Sequence, residues 1–120
     1  MAGCVYTGMK TSRSVNGFFK VGMTEDEKPT RRWNAYDLTG LMWVYCPKAT
    51  KVQLMYLESV ARLRAEQIGL QLNGNDCFAY QMDKRQNKIS EGMAIAEIVT
   101  RAVCEACENL KIEYQWLKYL

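Results

Sequence analysis

The sequence predicts an α+β fold: a small three-stranded, mainly antiparallel sheet flanked by helices, followed by a long C-terminal helix. Three observations lead there. Short runs rich in β-branched and aromatic residues occupy 3–9, 18–23 and 41–46, the composition of strands. Two longer runs, 50–69 and from Ser90 onward, repeat apolar residues every three or four positions, the period of a helix. Turn-forming segments, notably Asn16-Gly17 and Asp37-Leu38-Thr39-Gly40, separate them.

The bounds are those of one ordinary globular domain. The chain has 120 residues, 48% hydrophobic and 24% charged, enough to form a core. No apolar run approaches the roughly 18 residues a membrane span needs. Lys10 and Arg13 lie near the start without an apolar run behind them, so no signal peptide is read and an intracellular setting is expected. Five cysteines at 4, 46, 77, 104 and 107 are odd in number and scattered, unlike a secreted disulfide framework. There is no histidine, which excludes Ser-His-Asp and Cys-His catalysis and histidine-ligated zinc. Residues 1–64 hold ten Lys/Arg against five Asp/Glu, whereas 65–120 hold six against eight. The basic first half suits a polyanionic partner.

In chain order, residues 3–9 form the first strand, with Tyr6 near its end. A polar loop over 10–17 closes on Asn16-Gly17 and leads into the antiparallel partner at Phe18–Met23. Gly22 interrupts an apolar run, which marks a bulge or a close backbone approach. After an acidic loop, Thr30 is placed to cap a short helix over Arg31–Tyr36, with Trp33 and Tyr36 packing on the sheet. Arg31 and Arg32 gain nothing from the dipole at that helix start, which points either to a solvated face or to an anion site. Leu41–Cys46, stopped by Pro47, reads as the central strand or at least one covered on both faces.

Thr50 opens the best helix and Gly69 ends it. Val52, Met55 or Tyr56, Ser59 or Val60, and Leu63 make its apolar stripe, while Leu54, Glu58, Ala61 and Ala65 follow another row. Glu58 therefore sits mid-helix beside apolar residues, within reach of Arg62. Residues 70–75 read as a turn, Cys77–Tyr80 as a short edge strand, and 83–88 as a polar linker. Ser90 then caps a helix whose seam runs Ile95, Val99, Ala102, Ala106, Leu110, Tyr114 and Leu117. That helix either packs back on the domain, with a break near Asn109, or pairs with a second copy of the chain. Cys104-Glu105-Ala106-Cys107 has CxxC spacing, but inside a helix and without further ligands it reads as buried or partly exposed helix thiols rather than a metal site.

Taken together, Val5-Tyr6, Lys20-Val21-Gly22-x-Thr24, Arg32 and Leu57-Glu58 stand on strand, strand, short helix and long helix in that order. This arrangement resembles the GIY-YIG nuclease superfamily, most closely the phage and viral branch whose second motif reads Lys-Ile-Gly-x-Thr. The resemblance covers about residues 3–80. It implies a GIY-YIG-like nuclease domain over 1–82, with 83–120 as a helical extension that packs on it or forms a homodimer. It also implies a metal-dependent endonuclease cutting DNA with one Mg²⁺ or Mn²⁺ ion, in the host cytoplasm if the protein is viral and with no membrane partner. A catalytically inactive module that binds nucleic acid or protein on the same fold is the alternative. Carried over by position, Tyr6, Lys20, Arg32 and Glu58 are the catalytic residues and Glu58 holds the metal. Gly22, Thr24, Arg31, Lys10 and Arg13 contact substrate, and Arg31 can take the register of Arg32. The chain departs from the family where Cys4 stands at the first motif's glycine, with Gly3 adjacent, and where only Asn73 and Asn75 are candidates for the asparagine after the long helix.

Overall fold

A computed structural model describes residues 2–10, 16–73, 77–81 and 88–119. The strands are β1 (Gly3–Lys10), β2 (Asn16–Thr24), β3 (Thr39–Cys46), β4 (Gln71–Asn73), β5 (Cys77–Gln81) and β6 (Gln115–Lys118). The helices are α1 (Thr30–Ala35), α2 (Lys51–Gln67) and α3 (Lys88–Leu110). The fold is α+β, but the sheet has six strands rather than three, in the order β4-β5-β2-β1-β3-β6 with every pair antiparallel. The three expected strands form its middle. Cys77–Tyr80 is the expected short strand, β5, though β4 and not β5 forms the edge; β4 and β6 are short and acquire their pairing from neighbours, a property that composition does not carry.

Asn16-Gly17 is not a turn: both residues lie in β2, opposite Gln81 and Tyr80 of β5. Residues 11–15 of the expected loop and 83–87 of the expected linker lie outside the described residues. Gly22 is not a bulge either, for it pairs in register with Tyr6. The irregularity falls instead in β1 against β3, between Tyr6 and Gly8. There the Thr7 hydroxyl donates to the Met42 carbonyl at 2.8 Å and accepts from the Met42 N–H at 3.1 Å. The Trp33 indole N–H donates to the Thr7 carbonyl at 3.1 Å. These bonds satisfy backbone groups that a bulge would leave unpaired in the interior.

Helix ends follow one pattern. In α2 the Leu70 N–H reaches the Ala65 carbonyl and the Gly69 N–H reaches Glu66, with Gly69 at φ 98°. The same pair of bonds closes α1 at Asp37 (φ 53°) and α3 at Lys111 (φ 59°), so all three are Schellman ends. At the other end of α2, Thr50 and Gln53 form the expected start as a reciprocal capping box. Thr30 and Ser90 do not cap. Pro29, at φ −84°, already turns the chain so that Thr30 lies inside α1, and Ser90 lies in the first turn of α3.

The C-terminal segment is not purely helical. Its helix stops at Leu110, and β6 returns along β3, pairing Leu117 with Trp43 and Trp116 with Val44. Residues 88–119 thus share the sheet of the preceding strands. The Thr100 hydroxyl ties the return strand to α3, accepting from the Trp116 indole N–H at 2.8 Å and donating to the Ala96 carbonyl at 2.6 Å.

The helices divide between the two faces. The residues of α2 and α3 that bury, Leu54, Leu57, Ala61 and Ala65 with Ala96, Val99, Val103 and Cys107, join Val5, Phe19, Val21 and Val44 in one large cluster. On the opposite face Trp33 of α1 joins Cys4, Tyr6 and Trp43. Both expected helix stripes are therefore rotated. In α2 the second row, with Leu57, is the buried one, while Val52, Met55, Tyr56 and Leu63 face outward. Of the seven expected seam residues only Val99 is fully buried, and Tyr114 and Leu117 lie beyond the end of α3. β3 is covered on both faces as expected, although β1 and β2 are the central pair.

Candidate active site

Strand pairing brings the first two motifs together. Tyr6 and Gly22 are cross-strand partners, and alternation places Lys20, Gly22 and Thr24 on the face that carries Tyr6. Gly22 is needed for space: a Cβ there would meet the Tyr6 ring and hydroxyl at 2.5 Å. The close approach expected at Gly22 is thus made by a tyrosine of the same chain. Tyr6 is 2% exposed and Lys20 is 5% exposed. The Lys20 ammonium lies 4.1 Å from the centre of the Tyr36 ring, a cation–π contact that offsets part of the cost of its burial. Tyr36 itself is exposed rather than packed on the sheet, unlike Trp33, which is buried edge-on to Trp43 at 5.5 Å.

Beyond Lys20 the outer edge of β2 changes character. β5 pairs with Asn16 to Lys20, and among the described residues no strand pairs with the outer edge of Val21–Thr24. Around that open stretch lies a cavity of about 480 Å³, whose walls include Thr24, Asp26, Arg31 and Arg32 on one side and Lys51 of α2 on the other. Both arginines are exposed. Arg31 reaches Asp26 at 4.0 Å across solvent, a pair that contributes little and leaves it able to meet an anion. Lys10 is exposed at the end of β1, and Arg13 lies outside the described residues.

Glu58 belongs to the helical layer on the opposite face from Tyr6. Lys51, Met55, Glu58 and Arg62 follow one row of α2, spaced four, three and four residues apart, and of these Lys51 lines the cavity. A Cβ on Gly3 would collide with both the Leu54 side chain and the Thr24 carbonyl, so Leu54 sits beside the end of β2. The far end of α2 leads into β4, alongside the other half of the sheet. Glu58 lies one helical turn beyond Leu54, roughly 6 Å further along the helix. Its carboxylate stands 3.8 Å from the Arg62 guanidinium, the two side chains 17% and 32% exposed.

Among the described residues no three His, Cys, Asp or Glu side chains are grouped so as to hold a metal ion. A single carboxylate fits one kind of ion, Mg²⁺ or its relative Mn²⁺, which is held by one or two carboxylates while water and substrate phosphate fill the remaining positions. Sequence reasoning missed two residues here. Tyr36 covers Lys20, and Lys51 faces the α1 arginines; neither has a local pattern that marks it.

No known protein family, curated protein or solved structure matches the chain. No helix among the described residues is long and apolar enough to cross a membrane.

Proposed function

We propose that the chain is a metal-dependent endonuclease of the GIY-YIG type, hydrolysing phosphodiester bonds in DNA within the cell. The observation that carries this reading is the cross-strand meeting of Tyr6 and Gly22 on β2, with Arg31 and Arg32 of the short helix lining a cavity beside Thr24 at the end of the same strand. Phosphodiester hydrolysis needs charge neutralised on the phosphate, a proton taken from water and help for the leaving oxygen. Arg32, with Arg31 beside it, would neutralise the phosphate. Glu58 would hold the Mg²⁺ or Mn²⁺ ion, which supplies Lewis-acid stabilisation of developing charge when bound. The Tyr6 hydroxyl would move a proton, with the Lys20 ammonium on the same face favouring its anionic form. Because Tyr6 and Lys20 are buried, Tyr36 has to move aside as substrate enters.

The same burial, together with the Glu58–Arg62 pair, favours a second reading: a module that binds nucleic acid without cutting it. A supercoiled-plasmid assay with Mg²⁺, Mn²⁺ or EDTA separates the two. The expected outcome is metal-dependent nicking that Glu58→Ala lowers by about 100-fold or more, as for loss of one charge-stabilising group, while circular dichroism stays unchanged. Binding without cleavage in either metal would select the second reading.

We also propose a homodimer. Its surface is the outer side of the helical layer rather than the α3 seam alone. A groove of about 810 Å³ between α2 and α3 is walled by Tyr56, Val60, Ile98 and Leu110 and rimmed by Arg64, Arg101, Glu97 and Glu105. Two charges of each sign suit a surface that meets its own copy. Light scattering should give a dimer mass that Ile98→Glu reduces to a monomer; a wild-type monomer at high micromolar concentration would overturn the assignment.

A further inference from the structure

Three thiols of the chain, Cys46, Cys104 and Cys107, lie in the helical layer, whereas Cys4 lies on the other face of the sheet beside Tyr6. Cys46 ends β3 and Cys107 lies in the last turns of α3. Both are fully buried, and their sulfurs touch at 3.9 Å. Cys104 sits one helical turn before Cys107, and Cys4 lies on β1 beside Gly3, the strand partner of Cys46. Among the described residues these four cysteines are free.

The four thiols are not equivalent. Burial pushes Cys4 and Cys104 up to about 12. Cys46 and Cys107 share one S–H···S contact in which either sulfur can donate; with Cys107 as the donor, the Cys46 thiol falls below its ordinary value and that of Cys107 rises. Cys46 is therefore the thiol best able to carry a negative charge, with a second sulfur already in contact. A disulfide has its sulfurs about 2.05 Å apart, so the pair, now at 3.9 Å, has about 2 Å to close. Cys104 and Cys107 are three apart in one unbroken helix, whose backbone bonds oppose the adjustment a bridge between them needs.

We propose that Cys46 and Cys107 are an oxidisable pair, forming a disulfide that ties β3 to α3 when a peroxide reaches them. In the first step the Cys46 thiolate attacks one peroxide oxygen. The S–O bond forms, the O–O bond breaks, and the released hydroxide takes up a proton as water. In the second step the Cys107 sulfur displaces the sulfenic oxygen. The S–S bond forms, the S–O bond breaks, and the oxygen leaves as water with the Cys107 proton. One hydrogen peroxide and two thiols give one disulfide and two waters. Because both sulfurs are buried, the reaction waits on local opening and runs slower than oxidation of an exposed thiol.

The test uses the full chain, reduced, freed of reductant and treated with hydrogen peroxide, then alkylated under denaturing conditions. The expected result is a mass lower by two hydrogens before alkylation, three rather than five alkylated thiols, and one cross-link joining the peptides that hold Cys46 and Cys107. Cleavage at Glu105 separates Cys104 from Cys107 in that map, and Cys104→Ser should form the same bridge. The oxidised chain should also melt at a higher temperature than the reduced one, since the bridge closes a long loop. Five alkylated thiols, a bridge through Cys4, Cys77 or Cys104, or oxidation that stops at single sulfurs would each overturn the proposal.

Discussion

The face of the sheet beneath α2 and α3 and the face beneath α1 bury side chains of different chemistry. The first is a broad aliphatic layer of valines, leucines and alanines with the paired thiols. The second is a small aromatic cluster of Tyr6, Trp33 and Trp43, with Leu38, Tyr45 and Leu117 around it. Two helices of 17 and 23 residues cover the first face, whereas α1 has only six. Stability is concentrated where apolar area is continuous. The aromatic face adds polar anchors, the Trp33–Thr7 and Thr7–Met42 bonds and the Lys20–Tyr36 contact. The difference teaches where change is tolerated. A short helix can carry exposed arginines, while the broad layer holds the strands beneath them in register.

Substitutions can break this comparison. Leu57→Ala empties a fully buried position in the aliphatic layer and should cost about 2–5 kcal/mol in urea unfolding; a cost under 1 kcal/mol would mean that the thick layer is not where stability resides. Gly22→Ala should cost about 1–3 kcal/mol, because the added methyl displaces the Tyr6 ring. It should also lower cleavage more than its stability cost explains, since it moves the proposed proton carrier. Trp33→Phe keeps most of the ring but removes the bond to the Thr7 carbonyl. A loss of about 1 kcal/mol is expected, with the β1–β3 amides near the bulge exchanging faster; unchanged exchange would separate α1 from the order of the bulge.

Much of the fold was legible in local chemistry. β1, β2 and β3 carry β-branched and aromatic residues dense enough to mark strands, and Thr50, Gln53 and Gly69 mark both ends of α2. The end of α3 at Leu110 was anticipated only as one alternative, a break near Asn109, because Lys111 adopts a positive φ that lysine rarely signals. The two apolar rows of α2 are equally periodic, so the period alone could not choose between them. Ala61 and Ala65 let the helix approach the sheet closely, and that contact selects their row. Asn16-Gly17 has the composition of a turn, yet a partner strand was available in β5 and its hydrogen bonds prevailed. The candidate site divides the same way. Tyr6, Gly22, Arg32 and Glu58 were readable as residue types in order; Tyr36 over Lys20 and Lys51 beside the α1 arginines were not.

What the sequence by itself determined is therefore local: which segments extend or coil, where strong caps begin and end a helix, and which acid–base groups the absence of histidine leaves. The tertiary structure alone decided the six-stranded order, the row on which each helix lies, the contact between Cys46 and Cys107, and the cavity beside Thr24 onto which the arginines and Lys51 open. The reason is physical. Propensities and caps act within a few residues of the chain, whereas strand pairing and face selection depend on partners that sequence distance does not specify.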